Sequence, residues 1–175
     1  ITAFLFLILY LQYGCTWQAL ILALLTVALM IMIVADFEHF IIPDEIHVFL
    51  LPLALVYHFA LGTDPMEVTY GFLAGMGLGL ALHYGYARLR KKEVLGYGDV
   101  KFLAVAGAWL TLMPFVPFLL LSGLLGIALG VCWRAFGKGE YFPFGPALAL
   151  SLFLCVVFPF IVGAFWNIGH SITSM

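Results

Sequence analysis

The sequence predicts an all-α, polytopic transmembrane helical bundle of about seven spans, organised as a single integral membrane domain over residues 1–175. Three observations predict it. The chain is 65% hydrophobic and 9% charged, against about 25% charged residues in a soluble domain. Its mean hydropathy is +1.16. Its apolar runs are separated by short clusters of polar residues, Gly and Pro, and all the Lys and Arg residues fall in two of those connections. The formal charge of −2 is uninformative in such a chain; the lipid bilayer is an expected partner and a nucleic acid is not.

A span needs about 20 predominantly apolar residues. Cutting at the polar clusters gives candidates at approximately 1–13, 17–35, 45–61, 68–89, 100–113, 115–134 and 146–167. The first begins at Ile1 with neither a basic segment nor an AxA-type cleavage site, and reads as a span continuing upstream rather than a signal peptide. The second ends where ILALLTVALMIMIVA meets Asp36. Pro43, Asp44 and Glu45 suit the start of the third, with acids at the positive end of its dipole. The fourth carries Gly71 and Gly75 as a GxxxG, which predicts a face for close helix packing. The fifth would rise only about 21 Å at about 1.5 Å per residue, so it needs company from its neighbours. Cys15, Cys132 and Cys155 lie in apolar context with no CxxC pair, and read as buried small hydrophobes rather than a disulfide or zinc framework.

Basic residues in short loops concentrate on the cytoplasmic side. Arg88, Arg90, Lys91, Lys92 and Lys101 cluster in one connection, and Arg134 and Lys138 in another two spans later, so both belong to one face, predicted cytoplasmic. The connection from Asp36 to Asp44 shares that face, while the GTDPME loop at 62–67 lies opposite. The N-terminus is then inside and the C-terminus outside.

Ionisable residues at a bilayer are expensive, by about 2.5–3.5 kcal/mol on insertion scales. Two places therefore need explaining: ADFEHFIIPDEI at 35–46 and GYGDVK at 96–101. Asp44 and Glu45 have their helix start. Asp36 lacks such a reading, because it follows a helix whose C-terminal dipole disfavours a negative charge. Asp99 reads either as the cap of the fifth helix or as a functional acid, with Gly96 and Gly98 giving room for an extended substrate backbone beside it. Two carboxylates about 4 Å apart at an effective dielectric near ~20 repel by about 4 kcal/mol, which raises one pKa by about 3. Such a pair shares a proton near neutral pH and can activate water against a carbonyl, titrating as a unit.

With D-F-E-H-F-I-I-P-D at 36–44, G-Y-G-D-V-K at 96–101 and Y-F-P-F-G-P-A at 141–147, the chain resembles the prepilin peptidases, or type IV prepilin leader peptidases, which are GxGD membrane aspartyl proteases. The resemblance covers nearly the whole chain. It implies that Asp36 and Asp99 are the catalytic pair. It also implies a substrate among type IV prepilin and type II secretion pseudopilin precursors, whose leader is cut on the cytoplasmic side of the bacterial inner membrane. Lys101 matches the family's GxGDxK, though a cytoplasmic anchor explains it equally well; Glu38 and Asp44 flank the site as candidates for tuning its field. His39 reads equally as an interfacial bystander, and His47, His58 and His83 as packed, locally hydrogen-bonded side chains. The peptidase reaction needs no metal or cofactor. Many members also N-methylate the new amino terminus with S-adenosylmethionine and carry an earlier cytoplasmic domain with two zinc-binding cysteine pairs. That region is not in this sequence, so S-adenosylmethionine is expected only if it exists upstream.

Three other readings compete. A presenilin or signal-peptide-peptidase type of protease also pairs a GxGD acid with a later PAL, here at 146–148, but Asp36 follows Ala35 and is followed by Pro43-Asp44, which favours the prepilin group. A proton-coupled transporter using the same acids is disfavoured because both lie at one face with no charge marking a path across. A membrane scaffold would use the acids only as helix caps.

Overall fold

The computed structural model describes residues 2–90, 96–137 and 142–164, and all regular structure among them is helical. Seven helices are α1 (Thr2–Tyr13), α2 (Trp17–His39), α3 (Asp44–Leu61), α4 (Pro65–Arg90), α5 (Tyr97–Leu110), α6 (Leu112–Ala135) and α7 (Gly145–Val157). Each predicted segment holds one of them, and three helices, α2, α3 and α6, are long and apolar enough to cross a bilayer by length and composition. Boundaries differ in informative ways. α2 runs past Asp36 to His39, so that acid is inside the helix rather than after it. α7 stops at Val157, and a further helical stretch covers 159–164. Of the sequence expectations, those on Lys91, Lys92, Lys138, Tyr141, residues 165–167 and the side chains of Arg88 and Arg90 fall outside the described residues.

The shortest internal helix is the centre of the bundle. From Val100 to Leu110 every residue of α5 except Lys101 is buried, and α5 packs against α3, α4, α6 and α7. Glycines make the closest of these contacts. A Cβ at Gly71 would run into the Gly107 carbonyl, one at Gly75 into the Leu103 carbonyl, and one at Gly79 would stand 3.0 Å from Val100 Cγ1. The predicted GxxxG face therefore lies backbone to backbone on α5. In lipid, where apolar surface gains nothing from leaving water, such close approach is what holds helices together.

Polar ties join α3 to α5. Trp109, fully buried, donates its indole N–H to the Leu50 carbonyl at 3.0 Å. His58 Nε2 lies 3.0 Å from the Trp109 carbonyl, which can only accept, so this nitrogen donates and Nδ1 accepts from the Thr63 hydroxyl at 3.1 Å. Each bond satisfies a polar group within the buried core, where leaving it unmade is costly.

Large apolar side chains cover the outside, among them Phe59 at 88% and Leu11 at 75% exposure, as suits a bundle whose solvent is lipid. Cys155 is buried as predicted, but Cys15 and Cys132 are exposed, Cys132 on the outer surface of α6. A thiol is apolar enough to sit there as well as in the core.

Gly75→Val is expected to destabilise the bundle by at least about 1–3 kcal/mol through overpacking. Gly77→Val, whose added Cβ meets nothing within 4 Å, is expected to leave it nearly unchanged. Thermal unfolding of the two purified variants in one detergent checks this, and equal midpoints would refute the α4–α5 contact.

Candidate active site

Asp36 occupies the last turn of α2 and is 6% exposed. Its backbone carbonyl accepts from the Phe40 N–H at 3.0 Å, and Phe40 ends the helix in the left-handed region with φ 54°. That conformation is usually left to Gly or Asn; here the Phe40 ring meets the edge of Trp133 with centroids 6.4 Å apart. The Asp36 carboxylate is thus buried at the negative end of its own helix dipole, where it is disfavoured.

What compensates it comes from α7. The Gly145 N–H donates to Asp36 Oδ2 at 2.7 Å, a buried bond across the bundle. Gly145 is the first residue of α7, and the amides of a helix's first turn have no partner within the helix. Pro146 has no N–H to offer, and the Ala147 N–H donates to the Phe144 carbonyl at 3.0 Å. The carboxylate therefore sits at the positive end of α7, on its first amide. A Cβ at Gly145 would stand 2.7 Å from Asp36 Oδ2 and 3.0 Å from its Cγ, so only glycine permits this approach. Phe144 fixes the donor's place, its ring lying where a side chain on Gly126 of α6 would be.

Asp99 lies in the first turn of α5, after Gly96 as N-cap, so it is not the cap that one sequence reading made it. No side chain caps this helix start. Asp99 stands one residue before the apolar run that begins at 100. It is half-buried, its carboxyl surrounded by protein on most sides, and that burial raises its pKa from 3.8 to about 7. The Asp36 charge pushes in the same direction, while the Gly96 backbone, which a third-position acid can reach back to, opposes both.

Asp36 and Asp99, from two helices, line one cavity of about 550 Å³. Its walls include the 40–43 loop and the first turns of α3 and α5. Gly96, Gly98, Asp44 and Lys101 also line it, as the sequence reading placed them near the acids. Lys101 Nζ donates to Asp44 Oδ1 at 2.7 Å, tying α5 to α3 at the rim. Glu38 does not join them: it is exposed on the last turn of α2, its carboxylate 3.9 Å from His39 Nε2 and absent from the cavity wall. A second expectation also changes. The space beside Gly98 is taken by the chain itself, since a Cβ there would stand 3.1 Å from Ile42 Cβ, and it is not open room for a substrate backbone.

Three residues escaped the sequence reading. Glu45 lines the cavity beside Asp44, and was read only as helix-start charge. His47, buried on α3, reaches the Gly98 carbonyl with Nε2 at 3.1 Å. Gly145 supplies a main-chain donor; its sequence signals are its place in the YFPFGPA stretch and the Gly-Pro pair that marks a helix start, and neither shows that role. Among the described residues, no three His, Cys, Asp or Glu side chains are grouped to hold a metal ion.

Comparison with known proteins adds a second line of evidence. Residues 23–131, which hold both acids, match the model of the type IV leader peptidase family. The prepilin leader peptidase/N-methyltransferase of Pseudomonas aeruginosa is 35% identical over 144 residues, covering 80% of this chain and 50% of that protein. The protein of the same name from Neisseria gonorrhoeae is 32% identical over 141 residues, covering 80% and 49%. Leader peptidase HopD of Escherichia coli is 37% identical over 126 residues, covering 68% of this chain and 80% of that protein. No solved structure matches. The chain spans about half the length of the first of these relatives. With a model match across most of its helices and similarity to HopD over most of that protein's length, this chain belongs to the type IV leader peptidase family.

Proposed function

We propose that the chain is an aspartic endopeptidase of the bacterial inner membrane that removes the leader from type IV prepilin and type II secretion pseudopilin precursors. The observation that carries the reading is the convergence of Asp36 and Asp99, from separate helices, on one cavity where the Asp36 charge bears on Asp99. The name prepilin leader peptidase among the relatives supports the prepilin part of that substrate class, and the sequence resemblance extends it to pseudopilins. The basic residues of the α4–α5 and α6–α7 connections support a cytoplasmic position for the cavity, by the positive-inside rule.

In the proposed chemistry Asp36 is the ionised member, because the Gly145 N–H favours a negative charge on it. Asp99 carries the shared proton. Asp36 takes a proton from water as its oxygen attacks the scissile carbonyl carbon, and Asp99 gives its proton to the carbonyl oxygen. The tetrahedral diol then collapses: its C–N bond breaks, the leaving amine takes the proton from Asp36, and Asp99 recovers one from the diol hydroxyl. Water is the only co-reactant. The proposal is confined to peptide hydrolysis. N-methylation, which the names of several relatives carry, is not part of it.

Membranes holding the protein are expected to cleave a prepilin-type precursor, and Asp36→Asn or Asp99→Asn alone to abolish cleavage while insertion and folding persist. Near wild-type processing by either variant would sink the dyad. Gly145→Ala is expected to lower cleavage by about 100-fold or more by displacing Asp36, a loss measured on the same precursor and compared with the harmless Gly77→Val.

Two pH effects follow from Asp99. Its acid form is lost as pH rises through about 7, so cleavage should fall along that limb. The folded pKa of about 7 exceeds the ordinary 3.8, so the folded protein holds an extra proton between these values and loses stability as pH rises from about 4 to about 7. Asp99→Asn, which does not titrate, is expected to gain in melting temperature relative to wild type over that interval. A gap that stays constant with pH would contradict it.

A further inference from the structure

We propose that His47 is a positioning residue for the reaction, holding in place the peptide plane from which the Asp99 side chain departs; this rests on the peptidase reading above. An ionisable side chain in the apolar run of α3 is costly and calls for a reason. His47 is 7% exposed, with its ring against Phe102 at 6.3 Å between centroids and 70° between planes. Its Nε2 lies 3.1 Å from the Gly98 oxygen. A carbonyl can only accept, so Nε2 carries the hydrogen and Nδ1 the lone pair. Nδ1 itself is buried and makes no hydrogen bond. Asp44 Oδ1 lies 4.0 Å from it, beyond hydrogen-bond distance, and is bound by Lys101.

The bonded carbonyl belongs to a particular peptide. The Gly98 C=O, the Asp99 N–H and the Asp99 Cα lie in one rigid plane. This plane is in the first turn of a helix whose start has no side-chain cap, the part of a helix that frays most readily. The reach of Asp99 back to the Gly96 backbone stays within this turn and does not tie it to another helix. His47 fixes the carbonyl from α3, and Ile42, from the loop that follows the Asp36 helix, packs against the Gly98 Cα. Both contacts come from the connection and helix that follow Asp36 in the chain, so they set Asp99 relative to its partner acid. His58 provides an internal comparison. It makes the same kind of bond from α3 to an α5 carbonyl, that of Trp109, but at the far end of α5, away from both acids.

The test uses the full chain in detergent with a prepilin-type precursor, and a pair of variants of similar volume. His47→Met removes the donor; His47→Gln keeps an amide N–H near the position of Nε2. Expected are a fall in kcat of about 100-fold with KM unchanged in His47→Met, and recovery of most of it in His47→Gln. His58→Leu should lower the melting temperature without changing kcat. If His47→Met does not fold, His47→Asn, polar but too short to reach Gly98, replaces it. A second readout does not need cleavage: the infrared carbonyl band of protonated Asp99, assigned by its loss in Asp99→Asn. Its titration midpoint, about 7 in the wild type, should move in His47→Met and return in His47→Gln. A wild-type protein that cleaves no precursor would sink the peptidase reading, and the infrared midpoint would still decide the role of His47. Equal kcat in His47→Met and wild type, an unmoved midpoint, or a loss that His47→Gln does not restore would overturn the proposal.

Discussion

A carboxylate buried at the negative end of its own helix needs a strong donor from elsewhere, and the bond from the Gly145 N–H to Asp36 meets that need. Much of the architecture serves it. For the first amide of α7 to arrive there, α7 must begin against the end of α2, and Phe144 wedged at Gly126 sets that beginning. The other end of α7 is held as well. Gln12 Nε2 donates to the Val157 carbonyl at 2.7 Å, and the Tyr13 hydroxyl donates to the same oxygen at 3.1 Å. α7 is thereby held at one end by polar bonds from α1 and at the other by the bond to Asp36 of α2 and the Phe144 ring at Gly126 of α6, which together fix its position along its own axis.

The second acid is held by different means. α5 has no long apolar surface of its own to anchor in lipid, so it is enclosed. Glycines on α4 lie along one side of it, and His58 and Trp109 tie it to α3 on another. The two carboxylates thus approach from elements with unlike supports, one from the end of a long helix and one from the start of a short, buried one. Their mutual repulsion is tolerated because neither support can relax without breaking buried hydrogen bonds or opening the α4–α5 contact.

Much of this could be read from the chain. The helices follow from apolar run length, a close-packing face on α4 from Gly71 and Gly75, and the two acids from the cost of placing Asp36 and Asp99 where they stand. What could not be read depends on direction. Glu38 and Asp44 look alike in sequence, but two positions beyond Asp36 on a helix points Glu38 away from the cavity, because residues at that spacing lie on different faces. That error came from treating 36–44 as a loop, when α2 continues to His39. Gly145 stands in the YFPFGPA stretch, but its role does not show there for another reason: its contribution is a main-chain N–H, which every residue but proline possesses, and only the lack of a Cβ lets it come close. His47 was taken as packing because its partner, a backbone carbonyl, leaves no complementary residue type to recognise.

The shortness of α5 has a consequence for supply. Its 14 residues rise about 21 Å, about 9 Å less than the hydrocarbon thickness of a bilayer. Under the proposed topology, with the far end of α5 at the opposite boundary, a cavity opening at its start would sit in a dip, deeper than the ends of α2 and α6 beside it. Under the proposed chemistry that depth reconciles two demands: a precursor whose apolar segment stays in lipid can present its backbone sideways, while hydration reaches the carboxylates from the aqueous side without crossing any part of the bundle.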